Sequence, residues 1–459
     1  MTGALQLQNA RLVYADGAIV EGGLVCRGGR IESVFAGDAP PVPADVEVID
    51  AERRFVLPGV IDPHVQLYAA PDYEHYATET RSAALGGVTT IVKMHRDLDG
   101  YPQEDVAAEI EGASRRAHVD FSFHVAVMTE AQVEQIESYA ADFAITSFKF
   151  FMAYRGEEGY RIGIQGVDDG VLLEGFRAVS RAGGVALVHC ENQDLADRAL
   201  AAVRAGGGDG LRAFEASRPW IVEADAVRRA AFLADVADCP LYVVHVTSRQ
   251  SLEFLAAHKR RGGKAWIETE PHYLTETYDS SAGALAKVIP PIRGQKDADA
   301  LWFALGRGEV DAIGSDHVAA TRERKQGTIW DAQLAFPGIA TILPVLLSEG
   351  VHRRGLSLSR VAAVTSTNAA RIFGFESKGD LIPGKDADFV VVDLDFEREV
   401  EAAMLGSAAD FSIYEGRTLR GWPVATVCRG AVVARDGELV GDEGWGTFLA
   451  RRARVPVPA

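Results

Sequence analysis

Three histidines, a lysine and an aspartate stand where short apolar runs give way to polar residues, and these side chains are familiar ligands of divalent metal ions. His64 follows VLPGVIDP, His189 closes GVALVH, His245 closes PLYVVH, Lys149 lies within ITSFKFF, and Asp316 follows DAIGS. Neutral imidazole and carboxylate are the usual donors to zinc and similar ions. A single His after an apolar run is ordinarily a hydrogen-bonded core residue. Several of them at successive strand ends point instead to one metal site. His95 ends TTIVKMH, Glu268 ends AWIE, and Gln66 lies two residues beyond His64. Lys149 is the most informative. Alternation along ITSFKFFMAY turns it toward an apolar interior, where an unpaired ammonium is costly. Two outcomes relieve that cost: pairing with Asp316 or another acid, or addition of carbon dioxide to the neutral amine. The second gives a carbamate, an anion able to bridge two cations.

These residues need a frame that brings them together. Eight apolar runs occur in order: VLPGVIDPHVQ, TTIVKMH, DFSFHVAVM, ITSFKFF, GVALVHC, PLYVVHV, AWIETEP and DAIGSDH. Between them, EDVAAEIEGASRRA and DGVLLEGFRAVSRAGG space apolar residues three and four apart, as amphipathic helices do. Strand–helix alternation over about 250 residues predicts a TIM-type (β/α)8 barrel, with chemistry at the C-terminal strand ends. The chain ends have another texture. LQLQNARLVY alternates, Asp16-Gly17 marks a turn, and DADFVVVDLD and WPVATVCRGAVVARDGELVG bring strands back late. The expected α/β architecture is a barrel over 56–381, a small β-sandwich module from 1–55 plus 382–440, and a tail over 441–459. That tail, WGTFLARRARVPVPA, either packs on a neighbouring subunit or frays.

Forty-seven Lys and Arg against 65 Asp and Glu give 459 residues a net charge of −18. Such a surface repels a phosphate backbone, so nucleic acid is not an expected partner. Cys26, Cys190, Cys239 and Cys428 are scattered, as reduced thiols of a cytoplasmic protein are. No basic stretch precedes an apolar segment at the N-terminus, and no window nears the roughly 20 apolar residues of a membrane span. Neither secretion nor membrane insertion is expected.

The segments PGVIDPHVQL, ITSFKFFMAY, ALVHCENQD, ASRPWIVEADAV, PLYVVHVTS, ETEPHYL, VIPPIR, DAIGSDH, NAARIFGF and IPGKDADFVVVD follow one another in a familiar order. Over nearly its whole length the chain resembles the cyclic amidohydrolases, above all dihydropyrimidinase and D-hydantoinase. The resemblance implies a hydrolase that opens the C–N bond of a small cyclic amide, imide or ureide. It implies one or two divalent ions at the barrel mouth, zinc foremost, with Mn or Co as alternatives. Lys149 would be the carboxylated bridging ligand, with His189 and His245 on one metal, His64 and Gln66 at the first strand, and Asp316 as ligand and proton relay. Tyr154 matches the family tyrosine that stabilises the oxyanion. By this resemblance a metal-held hydroxide attacks the carbonyl and Asp316 delivers the proton to the leaving nitrogen. A homo-oligomer, tetramer or dimer, is implied too.

Two departures stand out. The family carries His-x-His on its first strand, and here the pair is His64 and Gln66, which share a face. An amide oxygen is a poorer zinc ligand than imidazole. Three readings follow: a working one-metal site, a two-metal site using the Gln66 oxygen or a substitute, or a degraded site. His95, where relatives carry proline, could supply the imidazole, contact substrate, or line a loop. The second departure is Ile289 and Leu334, at positions where dihydropyrimidinases read the ring amide with Ser and Asn. An unmet buried amide costs about 1–3 kcal/mol, so a ring bulkier or less polar than dihydrouracil is expected. His317 and Arg155 stand nearby without an assigned role. The alternatives are an allantoinase or other amidohydrolase branch, and a non-catalytic dihydropyrimidinase-like protein.

Overall fold

β-Branched and aromatic residues fill the eight apolar runs, and each forms a strand. In chain order these are β1 Val60–Val65, β2 Val88–His95, β3 Asp120–Ala126, β4 Ser147–Phe151, β5 Val185–His189, β6 Leu241–Val243, β7 Ala265–Thr269 and β8 Ala312–Ile313. The computed structural model describes residues 3–453 except 42, 44–45, 68–69, 97–102, 157–158 and 160–161. The strands pair in sequence order and in parallel. A parallel bridge between Val65 and His317 brings the last strand round to the first. This is the expected eight-stranded barrel.

Helices occupy the connections and turn apolar stripes to the strands. Asp169–Arg181 shows why such a segment is helical: the Asp168 carboxylate caps it by accepting from the Val171 N–H at 2.9 Å, and Leu172, Phe176 and Val179 are buried. Three helices, Gln193–Ala205, Gly210–Ser217 and Trp220–Val236, fill the stretch between β5 and β6. No described helix is long and apolar enough to cross a membrane. All four cysteines are buried and unpaired.

The two chain ends share one hydrogen-bonded sheet of nine strands. Phe55–Pro58 is the seam, pairing with Leu5–Val13 on one side and Phe389–Glu399 on the other. The sheet packs around a core of its own, including Leu7, Leu24, Val56, Phe389 and Val427.

The tail goes where the sequence did not indicate. Its described part is hydrogen-bonded to the chain's own barrel. The Phe121 N–H donates to the Thr447 carbonyl at 3.0 Å, and the Leu449 N–H donates back to Phe121 at 2.8 Å. Arg451 is buried beneath the barrel, donating to Ser147 Oγ at 2.5 Å and to the Phe123 carbonyl. Residues 454–459 lie outside the described residues.

A buried ion cluster pins the barrel's N-terminal end to the sheet. Lys378 Nζ lies 2.6 Å from Asp120 at the start of β3, 2.5 Å from Asp388 and 3.2 Å from Asp386. Arg429 adds a contact to Asp120 at 3.0 Å. Removing the ammonium would strand buried carboxylates. The Lys378→Met variant is therefore expected to lose about 3–5 kcal/mol of unfolding free energy, measured by denaturant titration. A loss below about 1 kcal/mol would show that the cluster is not what holds the two units together.

Candidate active site

At the C-terminal ends of the strands, a cavity of about 370 Å³ is lined by His64, Gln66, Lys149, Tyr154, His189, His245, Ile289, Asp316 and Leu334, among others. A larger cavity, about 920 Å³, opens at the opposite end beside Lys259, Trp266 and Arg371, and no histidine lines it. Size does not mark the chemistry here. Convergent donors do.

His189 Nδ1 and His245 Nε2 lie 2.9 Å apart. A tetrahedral ion with bonds near 2.0–2.1 Å holds two nitrogens roughly 3.3 Å apart, so the pair is nearly set for one. Burial lowers the pKa of both rings, His245 furthest, which keeps them neutral and able to donate a lone pair. Behind His189, Nε2 meets Glu191 Oε2 at 2.9 Å, and Arg218 holds that same oxygen at 3.0 Å. Such an acid fixes the ring's tautomer and aim.

His64 follows the same plan on β1. Its Nδ1 meets Glu268 Oε1 at 2.7 Å, and its Nε2 lies 3.4 Å from Asp316 Oδ1. Tyr242 donates to the second oxygen of Glu268 at 2.7 Å. Burial opposes the Glu268 carboxylate, but His64 and Tyr242 outweigh it and hold its pKa below the ordinary range. Asp62 locks the strand ends together. It accepts the His64 and Ser315 N–H groups at 3.1 Å each, and the Ser315 hydroxyl at 2.5 Å.

Lys149 is buried on β4, its Nζ 5.4 Å from the centre of the Phe151 ring. Among the described residues no carboxylate lies within ion-pair distance of it, so pairing with Asp316 or another acid is not the outcome. Burial lowers its pKa to about 8. Roughly a tenth of the amine is then uncharged at pH 7.

Gln66 behaves differently from a ligand. Its amide nitrogen donates to Asp316 Oδ1 at 2.6 Å, and its oxygen accepts from Arg96 at 3.0 Å. Arginine only donates and a carboxylate only accepts, so this orientation is forced. In this arrangement the Gln66 oxygen is turned to Arg96 rather than to the other candidate donors, and Gln66 steadies the aspartate.

His95 is a correction. Val92 and Met94 face the barrel interior, so alternation turns Lys93 and His95 outward. There the His95 Nδ1 meets Glu109 Oε2 at 2.5 Å, beside Lys93 and Tyr76. It neither lines the cavity nor replaces the missing imidazole. His317 is likewise engaged elsewhere, with Nε2 2.8 Å from Glu79.

Backbone conformation supplies what side-chain phase does not. Tyr242 and Val244 face the interior, so strict alternation would turn His245 away. Its φ of +41° brings the ring back to the mouth. Tyr154 at +67°, Asp316 at +46° and Ala335 at +66° share this left-handed region. Each non-glycine residue there costs about 1–3 kcal/mol. The Tyr154 N–H is held by Gln193 Oε1 at 2.7 Å, and its ring centre is 4.8 Å from that of His189.

Sequence reasoning missed Arg96, Arg324 and Glu270. Arg96 and Arg324 line the cavity. Arg96 was within reach of the alternation on β2, which turns Met94 and Arg96 to the face His95 leaves. Glu270 follows Glu268 by two residues and shares its phase. It is fully buried and neither carboxylate oxygen has a hydrogen-bond partner. Burial first, then Glu268 and Asp316, pushes its pKa well above the glutamate range.

Comparison with known proteins identifies the family. The amidohydrolase family model matches residues 55–433. The L-hydantoinase of Paenarthrobacter aurescens is 33% identical, with 97% of this chain and 98% of that protein covered. The allantoinase of Rubrobacter xylanophilus is 35% identical, with 94% and 95% covered. The solved structure of L-hydantoinase (dihydropyrimidinase) from Arthrobacter aurescens superposes with a TM-score of 0.90 at 32% identity, covering 98% of this chain and 99% of that one. With metal donors gathered at the mouth of an eight-stranded barrel and matches of this extent, the chain belongs to the amidohydrolase family.

Proposed function

We propose that this chain opens a cyclic ureide, amide or imide ring at a divalent metal centre held by Lys149, His189, His245, His64 and Asp316. As a family member it is a hydrolase of C–N bonds in cyclic amides. The names of relatives point to hydantoin and allantoin, whose rings share an imide-type N–H between two carbonyls. The observation that carries the proposal is Lys149: a buried amine with no acid at ion-pair distance among the described residues, facing the same cavity as two neutral imidazoles. Its free amine adds carbon dioxide, forming an N–C bond and releasing a proton, and the product is the anionic oxygen ligand the centre lacks. Zinc fits this donor set, with Mn or Co as substitutes. A bound divalent ion would lower the pKa of a water toward ~7 and polarise the scissile carbonyl.

The chain's own groups carry the remaining steps. Asp316, oriented by the Gln66 amide, takes the proton of the attacking water and returns it to the leaving ring nitrogen. Tyr154 lines the cavity beside His189 and donates to the carbonyl oxygen as charge develops there. The water's oxygen ends on the carbonyl carbon and the C–N bond breaks. The non-catalytic alternative gives no reason for a buried lysine and three imidazoles to face one cavity. Buried, unpaired cysteines suit a cytoplasmic setting.

The test loads purified protein with zinc or manganese in bicarbonate and offers hydantoins, dihydrouracil, allantoin, dihydroorotate and simple cyclic imides. Ring opening of at least one, followed by loss of ring absorbance, is expected. So is the mass of one carbon dioxide on Lys149, with both lost in Lys149→Ala. Protein that binds no ion and opens no ring would sink the proposal.

Ile289 and Leu334 set the pocket's polarity. Ile289→Ser should favour dihydrouracil over a bulkier apolar hydantoin, shifting the ratio of kcat/KM by about tenfold, the worth of one buried hydrogen bond. An unchanged ratio would mean that this side chain does not face the ring.

A homo-oligomer is supported by one helical face. On Trp220–Val236, Ile221, Phe232 and Val236 fall on one side, and Phe232 is 65% exposed and Val236 53%. Phe232→Glu is expected to yield a smaller species in light scattering. A wild-type monomer would refute the assembly.

A further inference from the structure

We propose that Glu270, with Glu268 and the Nδ1 of His64, forms a second divalent-cation site on the inner side of the ring; the Nδ1 proton leaves to solvent as the ion enters, and His64 bridges the two positions through its two nitrogens. The three residues offer donor atoms that all lie within 4.8 Å of one another, and each residue is fully buried. Glu268 already contacts His64 Nδ1 at 2.7 Å. A Glu270 oxygen lies 3.8 Å from the same nitrogen, and neither Glu270 oxygen is hydrogen-bonded. Divalent ions with bonds of 2.0–2.2 Å keep their donors on the order of 3–3.5 Å apart. Small side-chain shifts close the cage.

Charge makes the same demand. Glu268, Glu270 and Asp316 sit together, and Lys149 is the cation that acts on all of them. The inference rests on the reading above at this point: a carbamate on Lys149 replaces that ammonium with a fourth anion. Several uncompensated buried anions are not sustainable, at several kcal/mol each. A divalent ion among them removes the imbalance. One imidazole nitrogen with carboxylate oxygens suits Zn²⁺ or Mn²⁺. The competing state is a neutral Glu270 that shares a proton with Glu268 and binds nothing.

The experiment strips the full chain with chelator, reloads it with Mn²⁺ in bicarbonate, and counts the metal by mass spectrometry. Wild type is expected to hold about two equivalents, and Glu270→Gln about one with the carbon dioxide adduct on Lys149 retained. Melting curves show whether the variant folds. Metal-free Glu270→Gln should melt no lower than wild type, because a buried unpaired acid is gone, while its rise on adding Mn²⁺ should be smaller. The Mn²⁺ electron-spin spectrum should show a coupled pair in wild type only. Equal metal content in wild type and Glu270→Gln, with the adduct present in both, overturns this inference and leaves the proposed function standing. A wild type with neither adduct nor ion overturns both.

Discussion

Charge placed in a dry interior must be answered by opposite charge, by hydrogen bonds or by neutralisation, and each answer is visible around this barrel. At the N-terminal end, Lys378 meets Asp120, Asp386 and Asp388 directly, and the result is a rivet between barrel and sheet. At the C-terminal end the same kinds of residue are left incomplete. Among the described residues Lys149 has no acid at ion-pair distance, Glu270 has no donor, and two imidazoles are held neutral. Structural charge clusters close on themselves. A cluster left open is one that another charge is meant to complete.

The support behind the open cluster is complete, which is why the open groups hold position. Glu191 and Arg218 brace His189, Glu268 and Tyr242 brace His64, and Asp62 ties the ends of β1 and β8. Gln66 joins this support, bridging Arg96 and Asp316. Its amide therefore fixes the direction of the Asp316 carboxylate.

Much of this was legible in the residues. Eight apolar runs, each closing on a polar side chain, gave the barrel and the end at which its chemistry lies. Lys149 declared itself by being a cation in an apolar strand. What stayed hidden was whatever depends on phase and backbone angle. His95 sits one residue out of register with Met94, so it faces Glu109 rather than the cavity. His245 is also out of register, yet a left-handed φ returns it. Nothing in the amino-acid types separates those two histidines. The partners of Gln66 and Glu270 come from strands far apart in the chain, and no local pattern encodes them.

Arg451 acts as a stopper. Ser147, which it grips, shares a face of β4 with Lys149, and His124 meets the same hydroxyl. The chain's last described turn therefore closes the floor under the buried lysine. Carbamates fall apart when protons reach them, so the lifetime of one on Lys149 depends on how dry that floor is kept. A clipped C-terminus would leave the mouth and its histidines untouched while opening a leak from below.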